Sequence, residues 1–132
     1  MTTDPFILAL IGFTLIGLAH VGAHSMLLKA SAGNAWTVGP RDRPATPGPL
    51  AARAERALRN FLETAPAFLA LMLATHAANA AGALITIGMA AYLAGRAAYL
   101  PAYLSALPWA RTTCWLIAGI GLVLMLIGVL AP

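Results

Sequence analysis

The sequence predicts an all-α integral membrane protein, a bundle of four transmembrane helices forming a single domain over 1–132. Of its 132 residues 61% are hydrophobic and only 9% are charged, whereas soluble proteins carry about 25% charged residues. Three stretches, 5–28, 64–95 and 112–132, contain no Asp, Glu, Lys or Arg. A membrane span needs about 20 apolar residues, so the first and last stretches supply one span each. The middle stretch is too long for one span and supplies two when the charged residues at its ends are included.

The first helix is predicted at 5–29. Asp4 precedes its apolar run and no basic segment comes before it, so we expect this helix to be retained rather than cleaved as a signal peptide. His20 and His24 have the i, i+4 spacing of two metal ligands. No third ligand stands near them in the sequence, so we interpret them as packed or interfacial side chains and predict no metal site.

A loop is predicted from 30 to 51, because Gly33, Gly39 and four prolines interrupt any continuous helix. Trp36 fits an interfacial anchor. Loops longer than about 12–15 residues are often functional. A lid over a pocket and a solvated linker are therefore both open interpretations.

The second helix is predicted at 52–78, and it begins with a polar stripe. Arg56, Arg59, Asn60 and Glu63 stand at i, i+3, i+4 and i+7, which places them on one helical face. Arginines can extend from such a helix to lipid headgroups, but a lipid-facing Asn60 and Glu63 are poorly explained in this way. Because ionisable groups at membrane depth are costly, we favour a polar cluster inside the bundle. We expect Arg59 and Glu63 to form an i, i+4 pair.

The third helix is predicted at 83–106 and carries a second stripe. Tyr92, Arg96, Tyr99 and Tyr103 lie within a narrow arc of the helical wheel. They extend over about 16 Å at 1.5 Å per residue, whereas an aromatic belt places its tyrosines at one depth. We therefore expect this stripe to face the polar stripe of the second helix.

The fourth helix is predicted at 108–131. Pro108 is favoured in a first turn, and Arg111 and Thr112 follow it directly. The single cysteine, Cys114, excludes an intramolecular disulfide, and we interpret it as a small buried hydrophobe rather than a reactive thiol. Three glycines in the apolar part of the helix are expected to allow close packing: Gly119, Gly121 and Gly128.

The distribution of basic residues predicts the topology. Lys and Arg flank the first and third connections, and the second connection carries no charge. The positive-inside rule then places these two connections in the cytoplasm and both termini outside. The net charge of +4 needs no nucleic-acid partner, because the cations lie at membrane edges and no soluble basic domain is present to hold a duplex.

The two stripes and the start of the fourth helix together form a cationic site near one leaflet. Such a site suits a small anion that carries carboxylates, which arginine binds bidentately. Glu63 could hold an amino group or fix an arginine. Glutathione, with two carboxylates, one amine and one thiol, fits these groups, and an arginine lowers the pKa of a neighbouring thiol. The residues alone do not distinguish glutathione from a phospholipid headgroup.

Two segments resemble the motifs of a known family. The segment 56–66, RALRNFLETAP, resembles the signature of the MAPEG family (membrane-associated proteins in eicosanoid and glutathione metabolism), and the segment 95–103, GRAAYLPAY, resembles its third-helix motif. The length, the four-helix plan and the Arg111-Thr112 pair agree with a bacterial-type member. The resemblance covers essentially the whole chain.

This resemblance implies a homotrimer in the bacterial inner (plasma) membrane, with glutathione as co-substrate between neighbouring subunits at the cytoplasmic side. It also implies a lipophilic second substrate and contact with membrane lipids. Arg111 would be the catalytic residue, placed beside the sulfur to stabilise the thiolate. The resemblance assigns glutathione binding to Arg56, Arg59, Asn60 and Glu63, and the lining of the site to Arg96, Tyr99, Tyr103 and Thr112.

Members of the family conjugate glutathione to lipophilic electrophiles, reduce lipid hydroperoxides, or convert eicosanoid intermediates. Prostaglandin-synthase-like members have His at the position of Tyr99 and Ser at that of Thr112, so a prostaglandin-specific role is not expected. The leading expectation is a glutathione-dependent transferase or peroxidase. The alternative is a non-catalytic membrane protein that keeps the fold and binds lipid headgroups or a protein partner. An ion pathway would need a polar line across the bilayer, and the apolar fourth helix supplies none.

Overall fold

The computed structural model describes residues 4–131, and within this range all regular structure is helical. Four of the helices are long and apolar enough to cross a membrane. The predicted all-α fold with four transmembrane helices is therefore confirmed. In chain order the helices are α1 (Pro5–Ala32), α2 (Asn34–Val38), α3 (Pro49–Ala77), α4 (Ala83–Leu104) and α5 (Pro108–Leu130).

The ends of the helices follow from proline, glycine and one side-chain cap. Pro5, Pro49 and Pro108 stand at the starts of α1, α3 and α5, where the missing N–H has no intrahelical partner to lose. This is why α3 begins at Pro49 rather than at 52. Asp4 caps α1, because its Oδ1 accepts a hydrogen bond of 2.9 Å from the backbone N of Phe6. At the other ends, α1 extends to Ala32 rather than 29, α3 ends at Ala77, α4 at Leu104 rather than 106, and α5 at Leu130.

The connection between α1 and α3 is bonded to itself through Trp36. The short α2 lies between Gly33 and Gly39, and residues 40–48 have no helical structure. The indole Nε1 of Trp36 donates to the carbonyl oxygen of Arg43 at 2.7 Å. Within the predicted loop 30–51, residues 40–48 are therefore non-helical. The short α2 is a helical turn that the glycine and proline pattern did not predict.

Stacked aromatic rings join α1, α3 and α4 in the core. Phe13 stacks on both Phe61 and Phe68, with ring centroids 5.2 Å apart in each case, and Phe68 stacks on Tyr92 at 4.3 Å. Tyr92 is fully buried, and its hydroxyl lies 3.1 Å from the Thr64 hydroxyl. Buried tyrosines usually satisfy their hydroxyl in this way. Tyr92, the first residue of the predicted tyrosine stripe, therefore belongs to the core.

The backbones of α4 and α5 touch at glycines. A Cβ added to Gly121 would lie 2.6 Å from the backbone N of Tyr92 and 2.7 Å from the carbonyl oxygen of Gly88, and one added to Gly128 would lie 2.7 Å from a side chain of α4. A Cβ on Gly119 would meet nothing within 4 Å. Of the three glycines expected to allow close packing, Gly121 and Gly128 do so against α4, whereas Gly119 makes no such contact within one chain.

The substitution Gly121→Ala is expected to lower the free energy of unfolding by about 1–3 kcal/mol, the usual effect of overfilling a packed contact. The new methyl group would overlap the backbone of α4, so the two helices must separate. Thermal unfolding in detergent measures the effect. Gly119→Ala is the matched control on the same helix, and we expect no loss of stability from it; equal unfolding midpoints for the two variants would contradict the close contact.

One end of the bundle carries most of the charge. At this end, called the charged end below, α1 and α4 finish and α3 and α5 begin. The ends are held together there, since Nη1 of Arg53 at the start of α3 donates to the carbonyl oxygen of Leu104 at 3.2 Å. The polar stripes of α3 and α4 and the first turn of α5 meet at this end.

Candidate functional site

Tyr103 of α4 contacts residues of two other helices at the charged end. Its hydroxyl accepts a hydrogen bond of 3.2 Å from Nε of Arg56 on α3. The guanidinium carbon of Arg111 on α5 lies 5.2 Å from the centroid of the same ring, and that of Arg56 lies 5.8 Å from it. Cations are attracted to the faces of aromatic rings. The structure therefore brings together one predicted site residue from each of α3, α4 and α5.

Two cavities share Tyr103 and Arg111 as lining residues. The first, of about 210 Å³, is lined by three arginines and by no carboxylate. The second, of about 230 Å³, is lined mainly by aromatic and hydroxyl groups. The first cavity is lined by Arg53, Arg56, Tyr103, Ala106, Pro108 and Arg111, and the second by Tyr99, Tyr103, Arg111, Thr112 and Trp115.

Arg96 is a buried cation held by neutral groups. It is 1% exposed, and its Nη1 donates to Oδ1 of Asn60 at 2.7 Å. Its guanidinium carbon lies 5.5 Å from the ring centroids of both Tyr92 and Tyr99. Among residues 4–131 no carboxylate lies within 4.0 Å of it, and its Nε has no hydrogen-bond partner. Asn60 is therefore the main polar partner of a charge that is out of contact with solvent.

Glu63 and Arg59 lie on the exposed side of α3 and do not pair with each other. Arg59 Nη2 lies 3.2 Å from Oε1 of Glu55, with 68% of the Arg59 side chain exposed. Glu63 Oε2 accepts a hydrogen bond of 3.4 Å from Nδ2 of Asn60. The predicted Arg59–Glu63 pair is wrong because Glu55 lies one turn earlier, and a glutamate four residues before its basic partner has the more favourable orientation.

The polar cluster expected inside the bundle is only partly interior in a single chain. Arg96 and Tyr99 are buried, and Asn60 and Tyr103 are half-buried. Five predicted site residues are exposed: Arg56, Arg59, Glu63, Arg111 and Thr112. The buried members lie between α3 and α4, and the exposed members lie around them on α3 and at the start of α5.

Four residues that line the cavities were not among the predicted site residues: Arg53, Ala106, Pro108 and Trp115. Arg53 stands one turn before Arg56 and continues its stripe. Trp115 stands four residues after Arg111, a spacing that puts both on one helical face. Helical spacing alone is thus sufficient to place Arg53 and Trp115 beside predicted site residues.

The two histidines of α1 have separate surroundings. His20 is buried, stacks on Phe61 with ring centroids 4.9 Å apart, and has its Nδ1 2.9 Å from the carbonyl oxygen of Ile16. His24 lines a cavity beside Trp36. The interpretation of His20 as a packed side chain agrees with this arrangement.

Comparison with known proteins gives one match. The family model described as the MAPEG family matches residues 6–131. The comparisons with curated proteins and with solved structures gave no match. Since the family model covers nearly the whole chain, including all four membrane-spanning helices and both motif segments, this integral membrane protein belongs to the MAPEG family.

Proposed function

We propose that the protein is a membrane-bound, glutathione-dependent transferase or peroxidase that acts on lipophilic electrophiles or lipid hydroperoxides. The family includes glutathione transferases and peroxidases. The observation that supports the proposal most strongly is that Arg56, Tyr103 and Arg111, from three helices, meet at the first cavity, and that Tyr103 and Arg111 also line a second cavity of different chemistry.

The first cavity has the groups that bind carboxylates. Arg53, Arg56 and Arg111 line it, and its lining contains no acid that would compete for them. A guanidinium binds a carboxylate with two parallel hydrogen bonds. Glutathione brings two carboxylates, so more than one of these arginines can be used by one molecule.

The second cavity has the groups that suit a thiol and a lipophilic partner. Arg111 supplies the positive charge that stabilises a thiolate, and Tyr99 and Tyr103 are present as hydroxyl donors. Trp115 lines the same cavity and is 46% exposed on a membrane-spanning helix. In this proposal the lipophilic substrate reaches the thiolate from the bilayer, past Trp115.

The reaction then needs little beyond positioning and desolvation of the thiolate. In conjugation, the sulfur attacks an electrophilic carbon, a C–S bond forms, and the leaving group departs with its electron pair. In peroxide reduction, the sulfur attacks the terminal oxygen, the O–O bond breaks, and the alcohol leaves after it gains a proton. A second glutathione then converts the resulting sulfenic acid to the disulfide and water.

We further propose a homotrimer, with glutathione between neighbouring subunits at the cytoplasmic side. Arg59 and Glu63 support this arrangement, because both are exposed on a single chain although they stand on a membrane-spanning helix. Charged groups are costly where they face lipid. A neighbouring subunit would cover them and give them polar partners.

Glutathione binding to the purified protein in detergent, measured by calorimetry, tests both proposals. We expect Arg56→Ala to abolish measurable binding, since Arg56 lines the first cavity. Arg59→Ala should weaken binding as well if the site lies between subunits, and should have no effect if the site lies within one chain. Arg43→Ala, a loop variant that loses the same charge, is the matched control. Absence of binding by the folded wild-type protein would instead favour the non-catalytic alternative, in which the fold binds lipid headgroups or a protein partner.

A further inference from the structure

A separate basic cavity of about 260 Å³ lies at the charged end, between the last turns of α1 and the short α2. None of its lining residues lines either cavity of the candidate site. It is lined by His24, Ser25, Met26, Leu28, Lys29, Trp36, Thr37 and Arg41.

The polar groups of this cavity suit an oxyanion. Lys29 and Arg41 carry positive charge, and His24 and Ser25 can donate hydrogen bonds. None of the lining residues is Asp or Glu. A phosphate ester presents only acceptor oxygens with negative charge, so it matches this set of donors.

Arg41 is held at the cavity by contacts within the protein. Its Nε and Nη2 donate to the carbonyl oxygen of Thr37 at 3.3 and 3.0 Å, and its guanidinium carbon lies 5.0 Å from the centroid of the Trp36 ring. Its backbone has a φ of +58°, a conformation that residues other than glycine rarely adopt. Such strain persists only where surrounding contacts hold it, and it is often found at binding sites.

The rim of the cavity is apolar. Met26 and Leu28 both line it, and Met26 is 73% exposed. Lys29 stands in the last turn of a membrane-spanning helix, and a tryptophan beside such a helix end is typical of the headgroup level of a bilayer. A free phosphate would leave the apolar rim in water, whereas a phospholipid would cover it with its acyl chains.

We propose that this cavity binds the phosphate of an anionic phospholipid, with the acyl chains along Met26 and Leu28. Basic groups at a membrane surface are attracted to anionic lipids, and here two of them converge on one cavity with an apolar rim. The bound lipid would hold the loop between α1 and α3 against the bilayer. The proposal does not depend on the glutathione site.

Native mass spectrometry of the full-length protein, with phosphatidylglycerol or the zwitterionic phosphatidylcholine added to the detergent, tests this site. We expect wild-type protein to retain phosphatidylglycerol in preference to phosphatidylcholine. In Lys29→Gln/Arg41→Gln the affinity for phosphatidylglycerol should fall about 30-fold, at about 1 kcal/mol per basic residue. Glutathione binding should stay unchanged in this variant.

The matched control is Arg56→Gln/Arg59→Gln, which removes the same charge from α3 at the same end of the bundle. It should keep the preference for phosphatidylglycerol; equal losses in the two double variants would overturn the proposal and show general charge attraction. Displacement of the lipid by millimolar inorganic phosphate would also overturn it, in favour of a soluble anion. Lys29→Gln alone, at an exposed position, provides the same comparison if the double variant does not fold.

Discussion

Replacing Arg111 by alanine is expected to lower kcat/KM for glutathione conjugation by about 100-fold or more, the usual effect of removing a group that stabilises developing or full negative charge at a reacting atom. Arg111 lines both cavities, so its loss removes the positive charge at the place where the two proposed substrates meet. The fold should survive the change, because Arg111 is exposed and contacts the ring of Tyr103 from outside the core.

Initial rates over a range of pH make this prediction specific to the thiolate. Without Arg111 the thiol should need a higher pH to ionise, so the rate profile should move to higher pH as well as fall. Arg111→Lys keeps the charge but not the planar fork, and we expect an intermediate rate from it. Arg43→Ala serves as the charge-matched control. An Arg111→Ala variant that keeps full activity would remove Arg111 from the mechanism, and one that fails to assemble would show a structural role instead.

Asn60→Ala is expected to lower the free energy of unfolding by about 3 kcal/mol or more, because it leaves a buried charge without its hydrogen-bonded partner. The charge is that of Arg96, whose Nη1 lies 2.7 Å from Oδ1 of Asn60. Chemical unfolding in detergent gives the value. Arg43→Ala in the loop between α1 and α3 is the control, and we expect almost no change from it because Arg43 is exposed and lies outside the helices.

A double variant separates the lost hydrogen bond from other effects of the Asn60 substitution. In Asn60→Ala/Arg96→Met the stranded charge is absent, so we expect this variant to be more stable than Asn60→Ala alone. Replacement of buried charged groups by apolar residues of similar volume is often neutral or stabilising. If the double variant is less stable by the sum of the two single effects, the coupling between Asn60 and Arg96 is absent and the interpretation of their contact is wrong.

Hydropathy and helical periodicity were sufficient to predict the fold and the meeting of the polar stripes of α3 and α4. The absence of charge over long stretches predicts the first and last spans directly, and the two middle spans follow when the charged residues at the ends of 64–95 are included. The stripes of α3 and α4 each occupy one helical face, and the two faces do meet, through Arg56 with Tyr103 and Asn60 with Arg96. These predictions succeed because they depend on spacing within one helix and on the need to cover polar groups in a membrane.

Helical spacing could not predict which of two nearby residues makes a given contact. Arg59 has a glutamate one turn before it and another one turn after it, and only the local geometry of α3 decides in favour of Glu55. Gly119 and Gly121 both stand in the same apolar run, and only the rotation of α5 about its axis places Gly121 against α4. The exposure of Glu63 likewise depends on the molecules that surround a single chain, and the residue pattern of one helix carries no information about them.

The glycine contact between α4 and α5 has a consequence for how the two sides of the candidate site move. Because the backbones of these helices touch at Gly121, we expect Tyr103 on α4 and Arg111 on α5 to move together. Arg56 stands on α3, whose hydrogen bonds to α4 at the charged end come from side chains, so we expect α3 to move more freely against that pair of helices. A substrate bound by both Arg56 and Arg111, as proposed above, would link α3 to the pair, and the linked arrangement should become more populated as the substrate concentration rises.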